Sequence, residues 1–230
     1  MSLGSIFASL ASLIIPVACP LCSKPDEVLC APCRKRALYI APHRQSIFTK
    51  EQRQIVISSQ LRFDDAISRI ILGAKDDANP HFQRMIVDAL VSARSIFPGR
   101  VVLVPIPTTA RARRKRGRDF MLEITQELAS RTGDTVLRLL SCTRKVSSQK
   151  NLNANERSRN LLNAFAVNPR VAREHQRHIS SNQILLVDDV VTTGATMLEG
   201  FRALDAYGAR SLGGISAAYS LNWSMSRPSH

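Results

Sequence analysis

The chain has 230 residues, enough for one large domain or a main domain with a small appendage. Hydrophobic residues at 44% and charged residues at 22% exclude wholesale disorder, and no apolar run is long enough for a membrane-spanning helix. Lys+Arg 32 against Asp+Glu 18 gives +14, which suits polyanions or phosphorylated small molecules as partners, or simply a basic soluble protein. Aromatic residues are only 5% of the chain, which argues against a stacking platform for single-stranded nucleic acid.

At the N-terminus, Ile6, Leu10, Leu13 and Ile14 fall on one helical stripe and predict a short packed helix. Pro16-Val17-Ala18-Cys19 is faintly like a lipoprotein cleavage site. However, no Lys or Arg precedes Lys24, so the positive n-region of a secretory signal is missing and a cytoplasmic protein is expected. Cys19 and Cys22 form one C-x-x-C pair, and Cys30 and Cys33 a second, seven residues on. A two-residue spacer lets both thiolates turn towards one ion, so the four suit a tetrahedral Zn²⁺. Two disulfides would be the alternative in an oxidising compartment. Four thiolates leave no open position, and such a zinc would be structural. Cys142 stands alone.

Arg34 to Gln54 is polar and basic and reads as a linker. Gln54 to Phe63 predicts a strand or hairpin, Asp65 to Leu72 a helix ending near Gly73, and Asn79-Pro80 opens a helix running up to Pro98-Gly99. From Arg100 the pattern becomes α/β. Val101 to Val104 is a continuous apolar strand stopped by Pro105-Ile106-Pro107, then comes a polar loop and a helix from about Asp119 to Arg131, closed by Gly133. Thr135 to Leu140 and Phe165 to Val167 read as strands, with a short helix over 155–163 between them. Gln183 to Val187 is the strongest buried-strand signal, followed by a helix over Ala195 to Tyr207, a strand over Ser211 to Tyr219 and a frayed tail. Strands alternating with helices predict an α/β fold with a mostly parallel sheet flanked by helices. The expected division is 1–50 for the N-terminal helix, zinc-ribbon-like module and linker, 51–221 for the α/β domain, and 222–230 for the tail.

Residues 184–196 read I-L-L-V-D-D-V-V-T-T-G-A-T. A buried aliphatic strand carries Asp188 and Asp189 at its carboxyl end, where parallel sheets bind ligands. The turn Val191, Thr192, Thr193, Gly194, Ala195 and Thr196 then leads into a helix, offering backbone N–H groups, hydroxyls and a positive dipole end to a phosphate. The adjacent carboxylates can bind vicinal sugar hydroxyls. Read piecemeal, the same residues make only a strand with a solvated acidic end and a Thr-capped helix.

As a whole the segment resembles the PRPP-binding motif of type I phosphoribosyltransferases. The wider order is four cysteines, Pro105-Ile106-Pro107, Lys115-Arg116-Gly117, and a run containing Arg144, Gln149, Leu152, Arg157, Asn160 and Phe165, with the phosphate turn last. That order is similar to the ComF-like competence-protein family, itself likened to amidophosphoribosyltransferases, over about Leu13 to Tyr219. One departure is Arg116-Gly117-Arg118-Asp119-Phe120, where the family shows R-G-F-N-Q; Asp119 can still cap the next helix.

The resemblance implies a type I phosphoribosyltransferase-like fold. It also implies a transferase acting on PRPP with Mg²⁺, its acceptor unidentified. Asp188 and Asp189 would hold the ribose, residues 191–196 the 5′-phosphate, and Pro105, Ile106, Pro107 and Thr108 the pyrophosphate. Arg111, Arg113, Arg114, Lys115, Arg116 and Arg118 would form a basic lid, six cations in eight residues, which could equally track a nucleic-acid backbone or lie solvated. Lys75 falls where the family tends to carry a lysine, but alone it reads as a surface residue. None of the histidines sits in a motif, and phosphoribosyl transfer needs no base, since positioning and charge stabilisation supply most of the catalysis. A non-enzymatic competence protein that senses a ligand and handles single-stranded DNA with the uptake machinery is the alternative. A PRPP-sensing regulator lacks any helix-turn-helix signal.

Overall fold

The computed structural model describes residues 18–49, 52–143, 163–181 and 183–220. The predicted N-terminal helix, the stretch with Arg144, Gln149, Leu152, Arg157 and Asn160, the helix over 155–163 (all but Asn163) and the tail lie outside the described residues.

The aliphatic runs Val101–Pro105 (β3) and Gln183–Val191 (β7) are buried on both faces, as expected for interior strands of a parallel sheet. They alternate as far as Val104 and Val187. Leu103, Leu185 and Val187 pack on one side, and Val102, Val104, Ile184 and Leu186 on the other. The strands His43–Phe48 (β1), Gln54–Arg62 (β2), Thr135–Val136 (β4) and Ser211–Tyr219 (β8) complete a six-stranded sheet of order β1-β2-β8-β7-β3-β4. Only the β1–β2 pair is antiparallel. Helices Asp65–Asp76 (α2), Pro80–Arg94 (α3) and Phe120–Thr132 (α5) cover the first face. Ala195–Tyr207 (α8) covers the second, with a small antiparallel pair made by Leu140–Cys142 (β5) and Phe165–Val167 (β6). Two short helices, Pro169–Glu174 (α6) and Gln176–Ser181 (α7), lead into β7.

Several expectations need correction. The supposed linker carries a helix, Ala31–Tyr39 (α1), and the edge strand β1. Neither has a periodic apolar pattern, because α1 buries only Cys33 and β1 only Ile47. The anchors are a cysteine cluster and a backbone ladder. Helix α2 continues through Gly73 to Asp76. That glycine is no stop signal: a Cβ there would lie 2.7 Å from the ring of Phe82 on α3, so its absence lets the two helices approach. The loop after Thr108 contains a short helix, Ala110–Arg116 (α4), capped by the Thr109 hydroxyl and closed by Gly117 in the left-handed region. Thr135 to Leu140 is split between two sheets, β4 pairing with β3 and β5 with β6.

Candidate functional site

Strand β7 does not stop before the acids. It runs on to Val191, so Asp188 and Asp189 lie within it near its carboxyl end, 7% and 6% exposed. They are buried groups, unlike the solvated acidic end of the piecemeal reading. Asp188 is turned to the α8 side of the sheet, and its Oδ1 accepts a hydrogen bond from the Asp189 backbone N–H at 2.9 Å. Asp189 is turned to the α2 side, where Lys75, in the last turn of α2, makes an ion pair with its Oδ2. Lys75 is therefore not a free surface lysine.

Burial, and then the charge of Asp189, push the Asp188 carboxyl well above its ordinary range. Burial would also raise Asp189, but Lys75 more than reverses it and holds that carboxyl below its usual value. The two carboxyls are thus pushed apart, Asp188 towards its protonated form and Asp189 towards its charged form.

Beyond Val191 the turn Thr192-Thr193-Gly194 precedes α8. Gly194 takes φ +72° as the helix N-cap, a conformation that favours glycine, and the Thr193 hydroxyl accepts from Ala195 N–H at 3.4 Å. Val191 to Thr196 line a small concavity with Asp188. The neighbouring β3 delivers Pro105-Ile106-Pro107-Thr108 to the same end of the sheet, and Ile106 N–H donates to Val187 O at 2.9 Å. This segment lines a cavity of about 190 Å³ that Arg113, Arg138 and Cys142 also reach. The acids, the Thr-Thr-Gly turn and the Pro105–Thr108 segment therefore meet at one edge.

The basic segment divides in two. Arg113 lies 3.7 Å from Asp119, Arg116 is 2.6 Å from Asp76, and Arg118 pairs with Glu123 and donates to Gln83 at 2.6 Å. Arg111, Arg114 and Lys115 are exposed and make no ion pair among the described residues. Asp119 occupies the N-cap of α5 but makes no capping bond. Its carboxylate instead faces Arg113 and, at 3.3 Å, Arg138. Sequence reasoning missed Arg138, which no motif marks, and left Lys75 unassigned.

The four cysteines converge at the opposite end of the chain. Their Sγ atoms all lie within 4.8 Å of one another, three of the four residues are buried, and none forms a disulfide. A tetrahedron with Zn–S bonds of about 2.3 Å has edges near 3.8 Å, so the donor set fits one such ion. Burial disfavours the Cys19 thiolate, yet backbone N–H groups of Cys30 and Leu21 bring its pKa down to about 7, while burial pushes Cys33 up to about 12.

Residues 114–220 match the phosphoribosyl transferase domain family, a stretch that holds the acid pair and the phosphate turn but neither Lys75 nor Pro105–Thr108. With the strand order above, the fold is that of a type I phosphoribosyltransferase, preceded by a small four-cysteine module. Three solved structures are similar at low identity. Adenine phosphoribosyltransferase from Trypanosoma brucei, in complex with AMP, pyrophosphate and ribose-5-phosphate, gives a TM-score of 0.40 at 13% identity, covering 86% of this chain and 84% of that one. Orotate phosphoribosyltransferase from Aeropyrum pernix gives 0.35 at 15% identity, covering 79% and 75%. Adenine phosphoribosyltransferase from Saccharomyces cerevisiae gives 0.37 at 12% identity, covering 81% and 88%. No curated protein matches the chain in sequence.

Proposed function

We propose that this chain is a PRPP-binding phosphoribosyltransferase-like protein of the ComF type, working in the cytoplasm. The observation that carries the reading is the meeting of a buried carboxyl pair, one member of it paired with Lys75, with a Thr-Thr-Gly turn at a helix N-terminus, beside the Pro105–Thr108 segment. Residues 191–196 hold the 5′-phosphate through backbone N–H groups and hydroxyls. Asp189 accepts from one ribose hydroxyl, and protonated Asp188 donates to or accepts from the other. Pro105 to Thr108 receive the pyrophosphate, which enters with its Mg²⁺ as part of the substrate.

In transfer, the C1–O bond to pyrophosphate breaks and its electron pair leaves with that group. The acceptor atom bonds to C1 and releases its proton to solvent. Arg113 and Arg138 face the cavity where negative charge develops. The four-cysteine module is structural and holds Zn²⁺. It forms one unit of the chain up to residue 50, with the transferase-like domain over 51–221.

Asp189→Asn tests the site. Losing a charge-assisted hydrogen bond costs about 1.5–3 kcal/mol, so PRPP affinity by calorimetry is expected to fall about tenfold or more. Asn is used because it keeps the side chain's shape and an amide oxygen that can still accept from the Lys75 ammonium, which Ala would not. Unchanged affinity in a folded variant would reduce the carboxylates to a turn. PRPP and ribose 5-phosphate, each with and without Mg²⁺, must raise the melting temperature of the wild type; if neither does, the whole reading fails.

The exposed cations Arg111, Arg114 and Lys115 favour a second reading, in which the protein handles single-stranded DNA with the uptake machinery in competence and uses the pocket as a ligand sensor. Replacing these three by Ala separates the two. If they form a lid, PRPP binding weakens and the salt dependence of DNA binding barely changes. If they track a nucleic-acid backbone, the log–log salt slope flattens by about 2 while PRPP affinity stays constant. We expect the first result, because the basic run begins three residues after Thr108 and α4 borders the cavity.

A further inference from the structure

Lys75 lies outside the stretch that matches the transferase family, yet its ammonium makes an ion pair with Asp189 in the candidate site. Its side chain is 22% exposed, and the ammonium stands 5.9 Å from the centre of the Phe120 ring while it pairs with Asp189. Phe120 is buried at the start of α5 and also takes the Arg118 guanidinium at 5.5 Å. The ring thus lies beside both cations, at the outer range of a cation–π contact for the ammonium. The charged and titratable groups around Asp189 are Asp188 on its own strand, Lys75 from α2 and Arg118 beyond Phe120. The flanking strands bring Ser216 and Ala218 of β8 and Pro105 of β3, none of which titrates.

Two neighbouring carboxyl groups buried together cannot both ionise without a countercharge. Without one, nothing would decide which of them keeps its proton. We propose that Lys75 is a positioning residue of this site: by holding Oδ2 of Asp189 it keeps that carboxylate charged, as the acceptor for a sugar hydroxyl, and leaves the remaining proton to Asp188. The sugar hydroxyl in this assignment rests on the PRPP reading above, whereas the charge assignment does not. The directions in which the two carboxyls depart from their ordinary values agree with it.

The experiment uses the full chain as wild type, Lys75→Met and Lys75→Arg, with two readouts. Carboxyl ¹³C resonances report the ionisation of the pair without any ligand, and calorimetry with ribose 5-phosphate reports sugar binding between about pH 7 and 9, where the ligand phosphate is fully charged. In the wild type one carboxyl of the pair is expected to stay ionised from about pH 5 upward, and affinity to be flat with pH.

In Lys75→Met burial is no longer offset, and that carboxyl should titrate inside the window of about pH 7–9 instead of below about pH 5, so that only about a tenth of it is ionised at pH 7. Affinity at pH 7 should fall about tenfold and recover as pH rises, because raising the pH restores the charge that burial suppresses. Lys75→Arg should bring both back to within about threefold of the wild type. Should Lys75→Met fail to fold, Lys75→Gln removes the same charge.

An unmoved carboxyl titration in a folded Lys75→Met overturns the proposal. So does a loss of affinity that is equal at every pH and is not rescued by Arg, since that is a packing effect. If the carboxyl shift appears but the wild type binds no ribose 5-phosphate, the PRPP reading falls and the charge assignment to Lys75 stands.

Discussion

Removing metal from the four-cysteine module is expected to unfold residues 18–39 while the α/β body stays folded. Among the described residues 18–39 there is almost no core: Cys19, Cys30 and Cys33 are the buried residues, with Leu21 and Leu29 packed against them. Such a unit is too small to offset its chain entropy by apolar burial. A structural zinc in a site of this kind supplies on the order of 10 kcal/mol, which is then the folding energy of the module. The rest of its support comes from outside. Ala37 and Leu38 of α1 pack against the first core, and Arg34 pairs with Asp88 of α3 at 3.0 Å.

Chelation, or Cys33→Ser, should therefore cost the helical signal of α1 and expose the module to protease, with the main unfolding transition retained. Protein purified without added zinc should carry about one equivalent of metal. Less than about a tenth of an equivalent would sink the idea, because the module should then have no means of holding its shape. Affinity should also fall as pH drops, since each thiol must give up its proton to bind.

The second large effect concerns the α/β body. Asp134→Ala is expected to destabilise the protein by about 3–5 kcal/mol, the usual result of leaving one member of a buried ion pair uncompensated. Arg94 is 8% exposed and Asp134 0%. Arg94 Nε donates to Asp134 Oδ2 at 2.7 Å and Nη2 to Oδ1 at 2.9 Å. The remaining acceptor capacity of Asp134 is filled by Thr132 Oγ1 at 2.7 Å and by the backbone N–H of Val101 at 3.0 Å.

One carboxylate thus ties the end of α3, the end of α5 and the start of β3, the strand that delivers Pro105–Thr108. A chain of this size loses about 2–4 °C in Tm per kcal/mol, so a fall of roughly 6–20 °C is expected. Chemical denaturation checks the magnitude, and a change below about 1 kcal/mol would mean that water enters and solvates Arg94.

The pH dependence carries a definite sign. Burial alone would raise Asp134, but the hydrogen bonds from Arg94, Thr132 and Val101 outweigh it and hold the carboxyl below its ordinary value. A carboxyl depressed on folding contributes its full stability above the unfolded value of about 3.9 and loses it as pH falls from there through the folded value. Acid unfolding of the wild type should therefore steepen below about pH 4, and in Asp134→Ala that component should be absent.

Much of the fold was legible because its central strands are buried on both faces. In an α/β chain, uninterrupted aliphatic runs such as 101–104 and 184–187 suit little except an interior strand, and the caps at Asn79-Pro80, Gly133 and Gly208 mark helix ends by local chemistry alone. The elements that were missed lack an apolar stripe. Helix α1 is held by cysteines, α4 by a threonine cap and a left-handed glycine, and β1 by its ladder to β2. Gly73 misled for a different reason. The absence of its side chain serves the contact with Phe82 on the next helix, and no local rule detects a contact of that kind.

The candidate site divides along the same line. By itself the sequence marked the acid pair, the Thr-Thr-Gly turn and the cysteine set as candidates, since each is a run of neighbouring residues whose chemistry depends on spacing within a few positions. Only the tertiary structure decided which carboxyl takes the lysine partner, which of the six cations of 111–118 are already paired, and that Arg138 reaches the cavity. Charge states in a buried site are set by partners that are near in space and far along the chain. Lys75 stands 114 positions before Asp189 in the chain, and only the packing of α2 and α5 against β7 brings its ammonium to that carboxylate.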